Sequence, residues 1–388
     1  MTNMFSAGMA KATELTRQGK LQEATDLIRA LLHGGPAPAP GQPEGDVIDG
    51  TATRLDAAPK APPTAAPDPA PARAAAPRSG LRETLRRIAA GGMPAAASGP
   101  RPQADTGPGR FVTLTHASAQ GRRDYRLYTP VAHKAEGKPM PLVVMLHGCT
   151  QSPDDFAAGT GMNALAEEFG CIIAYPAQPT GANANKCWNW FKPEDQRRDG
   201  GEPALIAGIA RDILRDHPVD PARVYIAGLS AGGAAAAIVA AAYPELFHAV
   251  GVHSGLPVGA ARDVPSAFAA MQQGGAGSTA IRTQPTIILH GLADATVHPR
   301  NGDAVARQVL SGRPGLAKTV QRGTSAGGRG WRQTSHSLPD GRSHCEHWEI
   351  EGAGHAWAGG KAAGSHTDPA GPDASREMLR FFLQHRGD

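Results

Sequence analysis

Apolar positions in the later part of the chain follow two alternating periods. Residues 141–147, Pro-Leu-Val-Val-Met-Leu-His, form an apolar run closed by a histidine. That is the pattern of a strand covered on both faces. Residues 171–175, 223–227, 249–253 and 286–290 repeat it in shorter form. Between them, residues 157–169, 203–215, 231–243 and 303–310 read as helices, and 375–385 reads as a closing helix. An antiparallel pair is expected at 111–116 with 124–129. A hairpin is expected at 331–338 with 344–351, turning at Pro339-Asp340-Gly341-Arg342. Alternating strands and helices predict an α/β domain over residues 110–388, a mostly parallel sheet wrapped on both faces.

The front of the chain is patterned differently. Within residues 1–33, Leu15, Leu21, Ala24, Leu27, Ile28, Leu31 and Leu32 recur near helical spacing. So short an amphipathic segment must dock to bury its stripe, on its own domain, on a second copy or on a substrate granule. Residues 34–109 are rich in Pro and Ala and read as a linker, with a short helix at 81–90.

Composition narrows the function classes. Among 388 residues there are 48 Gly and 34 Pro, the excess expected of a chain with a non-globular portion. The formal net charge is only +4, with no basic stripe, which argues against a nucleic-acid partner. The longest apolar stretch, residues 234–243, is mostly alanine and too short to span a membrane. Residues 1–10 lack the pattern of a secretory signal, which favours a cytoplasmic location. The four cysteines, Cys149, Cys171, Cys187 and Cys345, make no CxxC pair. Histidines 336, 344, 347, 355 and 366 fit no zinc spacing, so neither a metal nor an organic cofactor is expected.

One constellation carries chemistry. Gly228-Leu229-Ser230-Ala231-Gly232 is a G-x-S-x-G motif between an expected strand and an expected helix, the context of a nucleophile elbow. Ser230 is therefore the candidate nucleophile. The order Ser, acid, His then selects Asp294, after the strand at 286–290, and His355, in the small-residue loop Gly352-Ala353-Gly354-His355-Ala356-Trp357. Asp303 is the rival acid, but it falls within the next helix. His253, ahead of the acid, reads as a pocket-lining or core histidine. Oxyanion donors are expected from the backbone N–H groups of Ala231 and of Cys149 in His147-Gly148-Cys149-Thr150. The densest aromatic cluster, Cys187-Trp188-Asn189-Trp190-Phe191, lies in a long loop at the ligand-binding edge of the expected sheet. Trp188 and Trp190, with Trp357 beside the histidine, are the candidate substrate-binding residues. A bridge from Cys187 to Cys149 or to Cys345 would pin that loop near the site.

Taken in order, six segments resemble the polyhydroxybutyrate depolymerase family of esterases, within the α/β-hydrolase superfamily. They are His147-Gly-Cys-Thr-Gln151, Cys187-Trp-Asn-Trp-Phe191, Gly228-Leu-Ser-Ala-Gly232, His253-Ser-Gly255, His290-Gly-Leu-Ala-Asp294 and Gly354-His-Ala-Trp-Ala-Gly-Gly360. The resemblance covers about residues 110–388. It implies a carboxylic-ester hydrolase acting on short hydroxyalkanoate polyesters or oligomers, with Ser230, Asp294 and His355 as its triad. Feruloyl and acetylxylan esters are the alternative substrates. A peptidase and a non-catalytic granule-binding protein are the competing readings of the scaffold.

Overall fold

The computed structural model describes residues 107–131, 138–278, 283–311 and 313–387. The expected helical segment at 1–33 and nearly all of the linker at 34–109 lie outside them. Strands β1 (Arg110–Ser118) and β2 (Gly121–Thr129) form the expected opening hairpin. The central strands are β3 (Met140–Leu146), β4 (Ile172–Pro176), β5 (Val219–Leu229), β6 (Ala249–His253) and β7 (Thr286–Gly291). A final meander consists of β8 (Ala317–Thr324), β9 (Gly330–Ser337) and β10 (Ser343–Ile350). These ten strands join one sheet in the order β1-β2-β4-β3-β5-β6-β7-β10-β9-β8. From β4 to β10 the neighbours are parallel, and antiparallel pairs close both edges.

The helices explain the apolar runs. In β3, Leu142, Val144 and Leu146 enter one core, while Val143 and Met145 enter the other. Side chains alternate across a strand, so both faces must be covered for such a run to be buried. The first core is closed by α3 (Gly201–Asp216), α4 (Ala231–Ala242), α5 (Val264–Gln273) and α6 (Arg300–Leu310). The second is closed by α1 (Pro153–Thr160), α2 (Met162–Phe169) and α7 (Ala374–Phe382). The fold is an α/β-hydrolase sheet with helices on both faces, as expected.

Three local differences have physical causes. The single helix expected at 157–169 is two helices, because Gly161 adopts φ 61° and ends α1 with its N–H on the Ala157 carbonyl. Helix α5 had no expected counterpart, although Asp263 and Ser266 form a capping box ahead of it. Strand β8 is exposed along nearly its whole length, so it carries no apolar alternation from which to recognise it.

Candidate active site

Register brings two loops together. Leu146 pairs with Gly228 across the β3–β5 ladder, so the residues after β3 run beside those after β5. The contact is close enough to demand glycine. A Cβ on Gly232 would lie 2.1 Å from the Leu146 carbonyl oxygen, and one on Gly228 would lie 2.4 Å from the Gly232 backbone. Between them Ser230 sits at φ 59°, ψ −121°, a conformation costly for a residue with a side chain. Its N–H donates to the His253 carbonyl at 2.8 Å. The strain is held by β5 on one side and α4 on the other.

The expected acid and base meet. His355 Nδ1 lies 2.7 Å from Asp294 Oδ2, although 61 residues separate them. The Asp294 side chain is wholly buried, while that of His355 retains 14% exposure. Asp294 Oδ1 accepts the N–H groups of Thr296 and Val297, each at 2.9 Å. Burial alone would raise the Asp294 pKa. Hydrogen bonds from His290 and His355, the charge of His355 and the Val297 N–H outweigh it and hold the carboxyl far below the usual range. The rival, Asp303, lies on α6 with its side chain half exposed, 3.9 Å from His347. The strand ends thus bring Asp294 and His355 together and set Ser230 in its elbow after β5.

A second histidine backs the acid. His290, the penultimate residue of β7, is buried, with Nε2 2.8 Å from the Val297 carbonyl oxygen and 3.5 Å from Asp294 Oδ2. Sequence reasoning quoted His290 but gave it no role; its place four residues before Asp294 was the available signal. His253 is a core histidine. Burial, then the nearby His290 and His355, depress its pKa to about 3. Its Nε2 accepts the Ala358 N–H at 3.0 Å, three residues beyond His355.

The two candidate backbone donors lie on the loop after β3 and at the start of α4. Cys149 N–H has no acceptor among the described residues, and Ala231, the first residue of α4, has no intrahelical acceptor for its own. Cys149 is disulfide-bonded to Cys187, while Cys171 and Cys345 are free and buried. Of the two bridges left open, the bond to Cys149 ties the aromatic loop to the donor loop.

The three tryptophans expected to meet substrate are all buried. Trp188 has no exposed surface, and its indole N–H donates to the His147 carbonyl at 3.0 Å. Trp357 is 1% exposed, stacked on His253 at 5.0 Å and donating to Ser375 Oγ at 3.0 Å. Trp190 keeps 6% and packs edge-on to the half-buried Phe191. Their loops pass near the site, but large rings lose most by staying in water, and the rings turn inward.

Known proteins resemble this one in sequence and shape. Poly(3-hydroxyalkanoate) depolymerase C of Paucimonas lemoignei is 34% identical over 239 residues, 58% of this chain and 57% of the relative. Poly(3-hydroxybutyrate) depolymerase of Ralstonia pickettii is 29% identical over 247 residues, 58% of this chain and 50% of the relative. The chain thus spans about half the length of the curated relatives it matches. In shape it is similar to an acetyl xylan esterase from Aspergillus awamori, with TM-score 0.53 and 19% identity over 70% of this chain and 99% of that one. The family model for "Esterase PHB depolymerase" matches residues 123–327, which include Ser230 and Asp294 and stop short of His355. As that match takes in more than half of the 388 residues, the chain belongs to the esterase PHB depolymerase family.

Proposed function

We propose that the chain is a serine carboxylic-ester hydrolase acting on short 3-hydroxyalkanoate polyesters or oligomers. The observation that carries this reading is the Asp294–His355 pair, joined at 2.7 Å in the loops after β7 and β10, strands of the same sheet whose β5 leads into the strained Ser230 elbow. Ser230 Oγ attacks the ester carbonyl carbon while His355 Nε2 takes its proton. Asp294 keeps the Nδ1 proton on the imidazole and stabilises the imidazolium. The carbonyl oxygen becomes an oxyanion, held by the Cys149 and Ala231 N–H groups. The intermediate collapses, the C–O bond to the alcohol breaks and His355 returns the proton to the leaving oxygen. A water then attacks the acyl-enzyme with His355 again as base, and His355 returns that proton to Ser230 Oγ as the C–O bond breaks and the acid leaves.

The polyester substrate is supported by the two relatives named as depolymerases. Disulfides persist mainly in oxidising compartments, so the Cys149–Cys187 bond favours a setting outside the cytoplasm over the cytoplasmic one expected from the first ten residues. No helix among the described residues is long and apolar enough to cross a membrane. The test is a substrate panel: 3-hydroxybutyrate oligomers, p-nitrophenyl acetate, a feruloyl ester, acetylated xylan and a peptide amide. The account expects oligomer and p-nitrophenyl ester cleavage with the amide untouched. Amide cleavage exceeding ester cleavage would overturn it.

A further inference from the structure

We propose that Gln151 is a positioning residue of the oxyanion hole, selecting Cys149 N–H as donor and locking its loop to the one that carries the base. The inference rests on the ester-hydrolase reading above. Two consecutive amides, those of Gly148 and Cys149, lie on the loop after β3. Gln151 Oε1 accepts the Gly148 N–H at 2.9 Å, and Gln151 N–H donates to the Gly148 carbonyl at 3.3 Å. Gly148 is thereby held by both its backbone polar groups, and its amide is removed from competition. Thr150, at φ 67°, donates its own N–H to the Asn185 carbonyl at 2.7 Å. Of the three amides from 148 to 150, Cys149 alone lacks an acceptor among the described residues.

The other end of the Gln151 amide carries the second half of the argument. Nε2 donates to Asp155 Oδ2 at 3.0 Å and to the Ser365 carbonyl and hydroxyl at 3.1 and 3.3 Å. Asp155, in the first turn of α1, accepts the Ser365 N–H on Oδ1 at 2.8 Å and the Ser365 hydroxyl on Oδ2 at 2.5 Å. Gln151 and Asp155 are both buried. The neighbouring His366 accepts the Trp357 N–H on its carbonyl at 2.7 Å, two residues past His355. One amide side chain therefore ties the donor loop to the segment, 214 residues on, that pairs with the end of the His355 loop. A buried amide in this place satisfies acceptor and donor needs together, which neither an apolar residue nor a carboxylate does.

The experiment measures kcat, KM and melting temperature with p-nitrophenyl acetate. Both acylation and deacylation pass through an oxyanion, so kcat reports the hole whichever step limits. Gln151→Ala is expected to lower kcat on the order of 100-fold while KM stays within about twofold, the signature of a lost transition-state donor. Gln151→Glu keeps the acceptor for Gly148 but sets a carboxylate against Asp155, and is expected to lose kcat as well. The double variant Gln151→Glu with Asp155→Asn inverts the pair. Its Asn amide donates to the new Glu and its carbonyl still accepts the Ser365 N–H, while the Ser365 carbonyl stays without the donor that Gln151 gave it, so kcat is expected to recover in part, by about tenfold or more over Gln151→Glu. If Gln151→Ala does not fold, the comparison of the Glu single and double variants decides. The positioning role is overturned if folded Gln151→Ala keeps kcat within about threefold, if KM rises in place of a kcat loss, or if the double variant recovers stability without kcat. Ser230→Ala in the same assay separates the two readings. Turnover there overturns Ser230 as the nucleophile and with it the serine mechanism, whereas an inactive Ser230→Ala beside an unaffected Gln151→Ala overturns only the inference about Gln151.

Discussion

Removing the indole of Trp357 should damage the fold and the catalytic step together, without changing substrate preference. Trp357 lies two residues beyond His355, with 1% of its surface exposed. It stacks on His253 at 5.0 Å, meets Phe156 edge-on at 5.3 Å and donates to Ser375 Oγ at 3.0 Å. Burying an aromatic of this size removes about 150–250 Å² from water, worth roughly 4–6 kcal/mol by area. Emptying such a site costs about 3–5 kcal/mol in practice. At about 2–4 °C per kcal/mol for a domain near this size, Trp357→Ala should lower Tm by roughly 6–20 °C. The stack and the short β11–β12 ladder (Trp357–Ala358 with Thr367–Asp368) anchor the loop bearing His355. A displacement of about 1 Å there is enough to cost on the order of 100-fold in kcat. Trp357→Phe, which keeps a ring but loses the N–H, should fall between the Ala variant and wild type. The assay is thermal unfolding beside kcat and KM for a small acetyl ester and a bulky acyl ester. An unchanged Tm with a KM rise confined to the bulky ester would refute this reasoning and return Trp357 to the substrate.

Three further outcomes follow from the same geometry. Asp294→Asn keeps an acceptor for the Thr296 and Val297 N–H groups but turns an amide toward His355, forcing the wrong tautomer; steady-state kinetics should show kcat down by on the order of 10³–10⁴. Burial depresses the pKa of His147 to about 4 and, with help from His290 and His355, that of His253 to about 3, both from 6.5. The folded state keeps these rings neutral while the unfolded chain takes up protons. Their contribution is therefore whole above about pH 6.5, and each lowers stability by about 1.4 kcal/mol per pH unit as the pH falls from there toward 4. Urea unfolding of His253→Gln at pH 6 and pH 5 should show a slope smaller by that amount, and an unaltered slope would count against a neutral buried ring. A chain beginning at Gly107 should hydrolyse p-nitrophenyl acetate as the full chain does, because every proposed catalytic residue lies after it; a folded but inactive product would show that the front of the chain takes part.

The sheet was legible because its central strands are buried on both faces, and double burial leaves an unbroken apolar run such as residues 142–146. Gly228 and Gly232 were legible for a related reason, since the backbone passes too close at each for any Cβ. The pairing of Asp294 with His355 followed from chain order, the strand ahead of the acid and the small-residue loop around the histidine. What stayed hidden depended on contacts between distant residues. The direction in which Trp188 and Trp357 point is set by His147, His253 and Ser375, and local sequence carries no trace of those partners. Gln151 was visible as a motif residue, but its work depends on Ser365, far along the chain. Strand β8 was missed because an exposed edge imposes no pattern, and Gly161 split a helix that periodicity alone would continue.

Reaction with a fluorophosphonate ester, followed by peptide mass mapping, tests the central claim most directly. The account predicts one phosphonyl group per chain on the peptide containing Ser230, loss of p-nitrophenyl acetate hydrolysis in step with labelling, and neither labelling nor hydrolysis in a folded Ser230→Ala variant. Label on another residue, or hydrolysis that survives in Ser230→Ala, would contradict it.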